Sequence, residues 1–254
     1  SKWYSHLFKS GGSSTTPLRP ALKRAGEYFR NARTGFQDGA GPYGPETGTA
    51  VLSCRQNFTI LTTDGYWNEG SNPGNPNYDG ANFPGTITGP GGQSFTFPGS
   101  DPNPLKYDDS YADTLADVAM YYWNRDLMTS LDNNVPSSDD NPAFWQHMVN
   151  FMVGLGVRGS LQPDKLAGGV PNPASDLPAL TAGTKNWGSD KIDDLWHSAV
   201  NSRGEFISAK DPSELAEAVQ RSVGQALQRE LREAGVATAS TTLQAGNRKY
   251  VPLY

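Results

Sequence analysis

His147-Met148-Val149-Asn150-Phe151-Met152-Val153-Gly154-Leu155 is an almost unbroken apolar run. A short run of this kind reads as a strand buried on both faces, as in the interior of a parallel sheet. Neither face of such a strand can meet water, so helices must cover both sides of its sheet. The run therefore points to an α/β fold, with a mostly parallel sheet and helices on both faces.

Other segments fit that scheme. Asn57-Phe58-Thr59-Ile60-Leu61-Thr62-Thr63 is short and β-branched and stops at the turn dipeptide Asp64-Gly65, so it reads as a second strand. Gly204 to Ala209 reads as a third. Leu18, Leu22, Ala25 and Phe29 recur at helical spacing, with Thr16 placed to cap and Pro17 suited to the first turn. Ser110 to Asp113 resembles a capping box, and Tyr111, Leu115, Val118, Tyr122 and Leu127 follow as a helical face. Asp211, Pro212 and Glu214 open a further helix, whose expected core stripe is Leu215, Val219, Val223, Leu227 and Leu231. The order helix, strand, helix, strand, strand, helix is an α/β order.

Much of the chain lies outside these elements. Its 28 glycines and 19 prolines make nearly a fifth of 254 residues, against roughly an eighth in average usage. They concentrate in two stretches without core periodicity, about 66–109 and 159–188, which read as insertions. Within the first, Thr86-Ile87-Thr88 and Ser94-Phe95-Thr96-Phe97 flank Gly89-Pro90-Gly91-Gly92 as a small hairpin. Hydrophobic residues make only 36%, which implies a modest core with long polar loops.

Composition also excludes functions. A net charge of -5 with no basic stripe argues against nucleic acid as a partner. No stretch approaches the ~18 apolar residues of a membrane span. His6, His147 and His197 are isolated, without a His-Glu-x-x-His helix, and there is no Gly-x-Ser-x-Gly elbow, so no enzyme is expected. Cys54 is a single cysteine; it reads either as a small buried residue at a strand entrance or as half of a disulfide with a partner elsewhere. Asn75 to Gly80 mimics the start of a Ca²⁺ loop but has Thr86 where the closing Glu belongs, so an Asn/Gly turn is the better reading. Asp113 and Asp117 are one helical turn apart and read as partners of the helix dipole, not as cation ligands. Tyr66, Trp67 and Tyr78, with Phe83, are candidates for a contact surface or for sugar stacking, against the alternative that they pin the insertion to the sheet.

Four segments in order resemble one family. Gly11-Gly12-Ser13-Ser14-Thr15-Thr16-Pro17-Leu18 is similar to the segment before a von Willebrand factor A helix. Asn57 to Trp67 is similar to the strand and aspartate that come after that helix. Tyr111 to Trp123, with Trp145-Gln146-His147-Met148, resembles the PilY-type pilus biogenesis proteins, and Gln244 to Pro252 resembles the entry to that family's C-terminal β-propeller. The resemblance implies a partial A domain over 1–235, with 236–254 a linker and the first strand of a subsequent domain. It implies a divalent cation, Mg²⁺ or Ca²⁺, at the carboxyl ends of the strands, with Thr16 and Asp64 as two ligands. An Asp-x-Ser-x-Ser loop, the remaining part of such a site, does not precede Thr16, so the expected sheet lacks its first strands. The resemblance further implies an exported, non-catalytic adhesion and assembly module at a bacterial type IV pilus tip. Minor pilins, the rest of a parent protein and a host or abiotic surface would be its partners, and glycan binding by the insertion's aromatic residues is the rival function.

Overall fold

The computed structural model describes residues 15–30, 40–45, 52–68, 74–233, 237–238 and 249–250. Its centre is a three-stranded parallel sheet made of β1 (Asn57–Thr63), β4 (Met148–Leu155) and β5 (Glu205–Ala209), in the order β1-β4-β5. Two further strands, β2 (Ile87–Thr88) and β3 (Ser94–Phe95), pair antiparallel as the hairpin expected inside the first insertion. The sheet register sets Leu61 beside Met152 and Met152 beside Phe206, a row on one face. Thr62, Val153 and Ile207 form the row on the other.

Helices cover both faces. On the first lie α1 (Leu18–Phe29), α2 (Leu115–Trp123) and α4 (Lys191–Asn201). They bury Leu22, Leu115, Val118, Leu195 and Trp196 against Leu61, Met152 and Phe206. On the second lies α5 (Pro212–Glu233), where Ala218 meets Val153 and Ile207. A single turn, α3 (Leu177–Thr181), lies in the second insertion. Parallel neighbours require a crossover, and α4 supplies it between β4 and β5.

Local details correct several expectations. Helix α1 starts at Leu18, with Pro17 at the cap and no side-chain cap bond, so Thr16 does not cap it. Helix α2 starts later than Ser110–Asp113 implies, because Asp113 sits at φ +61, outside helical space. Thr114 is the cap instead, in a reciprocal capping box with Asp117. Tyr111 is correspondingly exposed. In α5 the cap is as read, with Asp211 Oδ1 accepting from the Ser213 and Glu214 amides. The sheet-facing positions, however, are Leu215, Ala218 and Ser222, and Val219 and Val223 are 37% and 44% exposed. Leu227 and Leu231 fall outside the described side chains. Cys54 is exposed, so it is not a small core residue.

The described part of the 66–109 insertion packs against the rest of the domain. Phe95, Phe97 and Tyr107 join Trp123, Phe144 and Trp145 in a second aromatic core. Residues 237–238 and 249–250 pair with each other as a two-residue ladder.

Candidate cation site

The strand-end residues come first. Asp64 follows β1 directly and is exposed. The Thr16 amide donates to the carbonyl of Asn68 at 3.0 Å, which ties the segment before α1 to the one just past Asp64. Asp64 thus stands at the carboxyl end of β1, and Thr16 is joined through its backbone to the segment that follows. Tyr66 there is 64% exposed, but Trp67 is 4% exposed and part of the main core. Lys191 Nζ lies 2.6 Å from the Trp67 carbonyl oxygen and 5.7 Å from its ring centroid. Tyr78 is half-buried, tilted against Tyr121 with the Arg125 guanidinium 4.7 Å over its ring. Of the three aromatic candidates, Tyr66 is the one largely open to solvent. Trp67 is spent on the core, since an apolar ring beside a strand end gains more from burial than from exposure.

A second group of side chains lies where sequence spacing offers little warning. Asp79, Asp109 and His197 bring one ligand atom each to within 4.8 Å of one another, and this group can hold a metal ion. Asp79 comes from the Asn75–Gly80 loop, Asp109 from just before α2, and His197 from the middle of α4. The loop is shaped by Asn77, whose Oδ1 accepts from the Gly80 and Ala81 amides and whose Nδ2 donates to the Asp109 carbonyl. Gly80 has to be glycine, because a Cβ there would lie 2.3 Å from that same carbonyl oxygen. The turn reading of this loop is therefore right for Asn77, yet the turn's outcome is to drive Asp79 inward.

Each member is held by further partners. His197 Nε2 is 2.8 Å from the Tyr107 carbonyl, and its Nδ1 is 3.4 Å from Asp109 Oδ2. Trp187 stacks on the imidazole at 4.1 Å and 10°. Asn201 Nδ2 donates to Asp79 Oδ2 at 2.8 Å, and the Tyr111 amide to Asp109 Oδ1 at 2.8 Å. Asp79 Oδ1 is buried without a hydrogen-bond partner.

The electrostatics match the burial. Desolvation holds the Asp79 carboxyl well above the ordinary range, with His197 opposing and Asp109 and Asp117 adding to the shift. Burial works against charge on His197, but the neighbouring carboxylates, Asp109 first, outweigh it and raise its pKa. Asp117 and Asp194 are pushed by burial to about 6, although backbone amides donate to both. Asp194 accepts from Leu115 and Ala116 at the start of α2, which locks α4 to α2. Carboxylates thus outnumber the one imidazole in this pocket.

A second anchor fastens the same insertion. Arg203 lies with its guanidinium 3.4 Å from the Trp123 ring centroid and 3.7 Å from that of Tyr107, and pairs with Asp101 at 2.9 Å. His197 lies within α4 and Arg203 just past its C-terminal end, so this one helix and its exit hold both parts of the insertion.

Over 86% of its length the chain is 36% identical to part of the type IV pilus biogenesis factor PilY1 of Pseudomonas aeruginosa, in strains UCBPP-PA14, PAO1 and PAK. It spans 19% of the length of each of these relatives. No family model and no solved structure matches it. Among the described residues, no helix is long and apolar enough to cross a membrane.

Proposed function

From its kinship with a segment of the PilY1 pilus biogenesis factors, we propose that this chain is a non-catalytic module of type IV pilus biogenesis, working at the pilus tip outside the cell. The identity over most of the chain carries this reading. The parallel sheet with helices on both faces supports it, because that architecture presents loops at its strand ends for protein–protein contact. Minor pilins, the remainder of a longer parent protein and a host or abiotic surface are the partners proposed.

The strand-end face is the contact surface in this reading. Thr16 and Asp64 would give a hydroxyl and a carboxylate oxygen to Mg²⁺ or Ca²⁺, hard donors that suit either ion. Two donors are too few to hold a hard cation, so upstream residues of the parent would complete the site. Such a cation serves binding by offering an open position to a partner's carboxylate. Tyr66, exposed beside it, is the aromatic contact.

The test is a replacement. The matched segment of a P. aeruginosa PilY1 is exchanged for this chain, and surface pili are counted by microscopy alongside pulldown of purified minor pilins. Restored pili with retained minor pilins are expected. A stably exported chimera that makes no pili and retains no minor pilin refutes the proposal.

A further inference from the structure

We infer that Asp79, Asp109 and His197 form a binding site for a divalent transition metal, Zn²⁺ by preference, which clamps the long insertion onto helix α4. The site is separate from the strand-end position of Thr16 and Asp64 and does not depend on the pilus reading.

The imidazole geometry is the first argument. His197 Nε2 is 2.8 Å from the Tyr107 carbonyl and 3.6 Å from Asp79 Oδ2, so in the neutral ring the proton sits on Nε2, bonded to that carbonyl, and Nδ1 is free to ligate on the side of Asp109 Oδ2, 3.4 Å away. That gap is longer than the usual 2.7–3.2 Å N–H···O bond, about as long as one edge of a tetrahedron built on Zn–N and Zn–O bonds of ~2.0–2.1 Å, which works out to roughly 3.3 Å. A backbone carbonyl on the far ring nitrogen is the usual outer partner of a metal-bound histidine.

Asp79 supplies the second, independent argument. Its Oδ2 is held by Asn201, while Oδ1 is fully buried and no donor among the described residues reaches it. A buried carboxylate oxygen left in this state is costly. A cation satisfies it at once, and because the three ligand atoms lie within 4.8 Å of one another, reaching a tetrahedral edge of ~3.3 Å takes at most ~1.5 Å of approach, shared between two side chains.

Charge and donor type then select the metal. Two carboxylates with a neutral imidazole balance a charge of +2. An imidazolium alone would leave one uncompensated negative charge, beside the carboxylates of buried Asp117 and half-buried Asp194. Ca²⁺ and Mg²⁺ prefer all-oxygen shells, whereas an imidazole nitrogen with two carboxylates suits Zn²⁺. Three protein donors leave one coordination position for water.

The experiment titrates the chelator-treated full chain with Zn²⁺, Ca²⁺ and Mg²⁺ by calorimetry, alongside His197→Gln, Asp109→Asn and a Cys54→Ser control. One Zn²⁺ per chain is expected, with affinity at least ~100-fold above Ca²⁺ or Mg²⁺, unchanged in Cys54→Ser and reduced more than ~100-fold in the two ligand variants. Should those variants misfold, NMR of the wild-type chain with Co²⁺ decides. Paramagnetic shifts must then fall on the His197 ring and spare His6 and His147. Absence of stoichiometric Zn²⁺ binding, binding kept by folded His197→Gln, or Co²⁺ shifts centred elsewhere would each overturn the assignment.

Discussion

Replacing Gly204 with alanine should cost about 3–4 kcal/mol of folding stability. A Cβ built at Gly204 would lie 1.7 Å from the Asn150 carbonyl oxygen and 2.6 Å from its carbonyl carbon. Ordinary non-bonded contact is roughly 3.5 Å, so the chains must part by more than ~1 Å. What they would part is the start of the β4–β5 ladder, where Phe151 pairs with Glu205 and Met152 with Phe206. Backbone cannot turn aside as a flexible side chain does. Losing two or three ladder bonds at ~1 kcal/mol each, with some loosening of buried Phe206, gives the figure. For a domain of this size that corresponds to a thermal midpoint about 10 °C lower. Gly224 is the counterpart, since it lies inside α5 with no heavy atom within 4 Å of an added Cβ. Alanine there should gain up to ~1 kcal/mol through helix propensity alone. Urea unfolding of both variants measures the pair. If Gly204→Ala unfolds within ~1 kcal/mol of the parent, the close approach of β5 to β4 does not constrain this fold and the reasoning fails.

Other consequences are open to simple measurement. Asp117 and Asp194, held at about 6 in the fold against 3.8, bind more protons folded than unfolded between those values, so stability should fall as pH rises from about 4 to 6. Each carboxyl contributes ~3 kcal/mol to that fall, and chelated protein that instead gains stability over the range would contradict it. Arg203→Ala strands buried Asp101 and should cost ~3–5 kcal/mol, whereas Arg203→Lys keeps the charge, loses the double ring contact and should cost less. Trp67→Ala should lower stability by ~3–5 kcal/mol, while Tyr66→Ala should change it by less than ~0.5 and, on the proposed function, weaken partner binding. Equal effects of the two on stability would show that Tyr66 is not a surface residue.

The sheet was legible because its signals are local. The apolar run at 147–155 and the β-branched run at 57–63 became the strands Met148–Leu155 and Asn57–Thr63. Helix α4 is harder to see, as its start at Lys191 follows Gly- and Pro-rich sequence and its first turn holds Asp193 and Asp194. Yet Ile192, Leu195, Trp196 and Ala199 repeat at helical spacing, and two parallel strands at 148–155 and 205–209 require a crossover that no other segment provides. The α5 stripe differs from its expected positions for another reason. Small side chains at Ala218 and Ser222 let the helix approach the sheet closely, which turns the larger valines away, and hydrophobicity alone ranks these positions the other way round. Asp79, Asp109 and His197 carry no spacing signal at all, since three separate elements bring them together.

Those outward valines bear on the strand that borders the sheet. Among the described residues β1 pairs only with β4, and Ile60 on it is 38% exposed. Ile60 lines up with Phe151, two residues before the Val153 that packs under α5, so it shares the α5 face. Val219 and Val223 are the exposed valines of α5, the helix that covers this face. A bare edge strand is a template for unwanted pairing, and nothing on β1 protects it: it has no lysine, no proline and no bulge. The relatives are about five times longer than the matched segment, as a 19% share requires. In such a parent, a further strand should pair with the free edge of β1 and its connection should cover Ile60, Val219 and Val223. Hydrogen exchange on the Asn57–Thr63 amides tests this, with alternate amides exchanging fast in the present chain and slowly in a longer parent. Ile60→Lys should then be nearly neutral here but cost more than ~2 kcal/mol in the parent, where the lysine would be buried. Unchanged exchange together with equal tolerance of Ile60→Lys in both would mean that the sheet ends at β1.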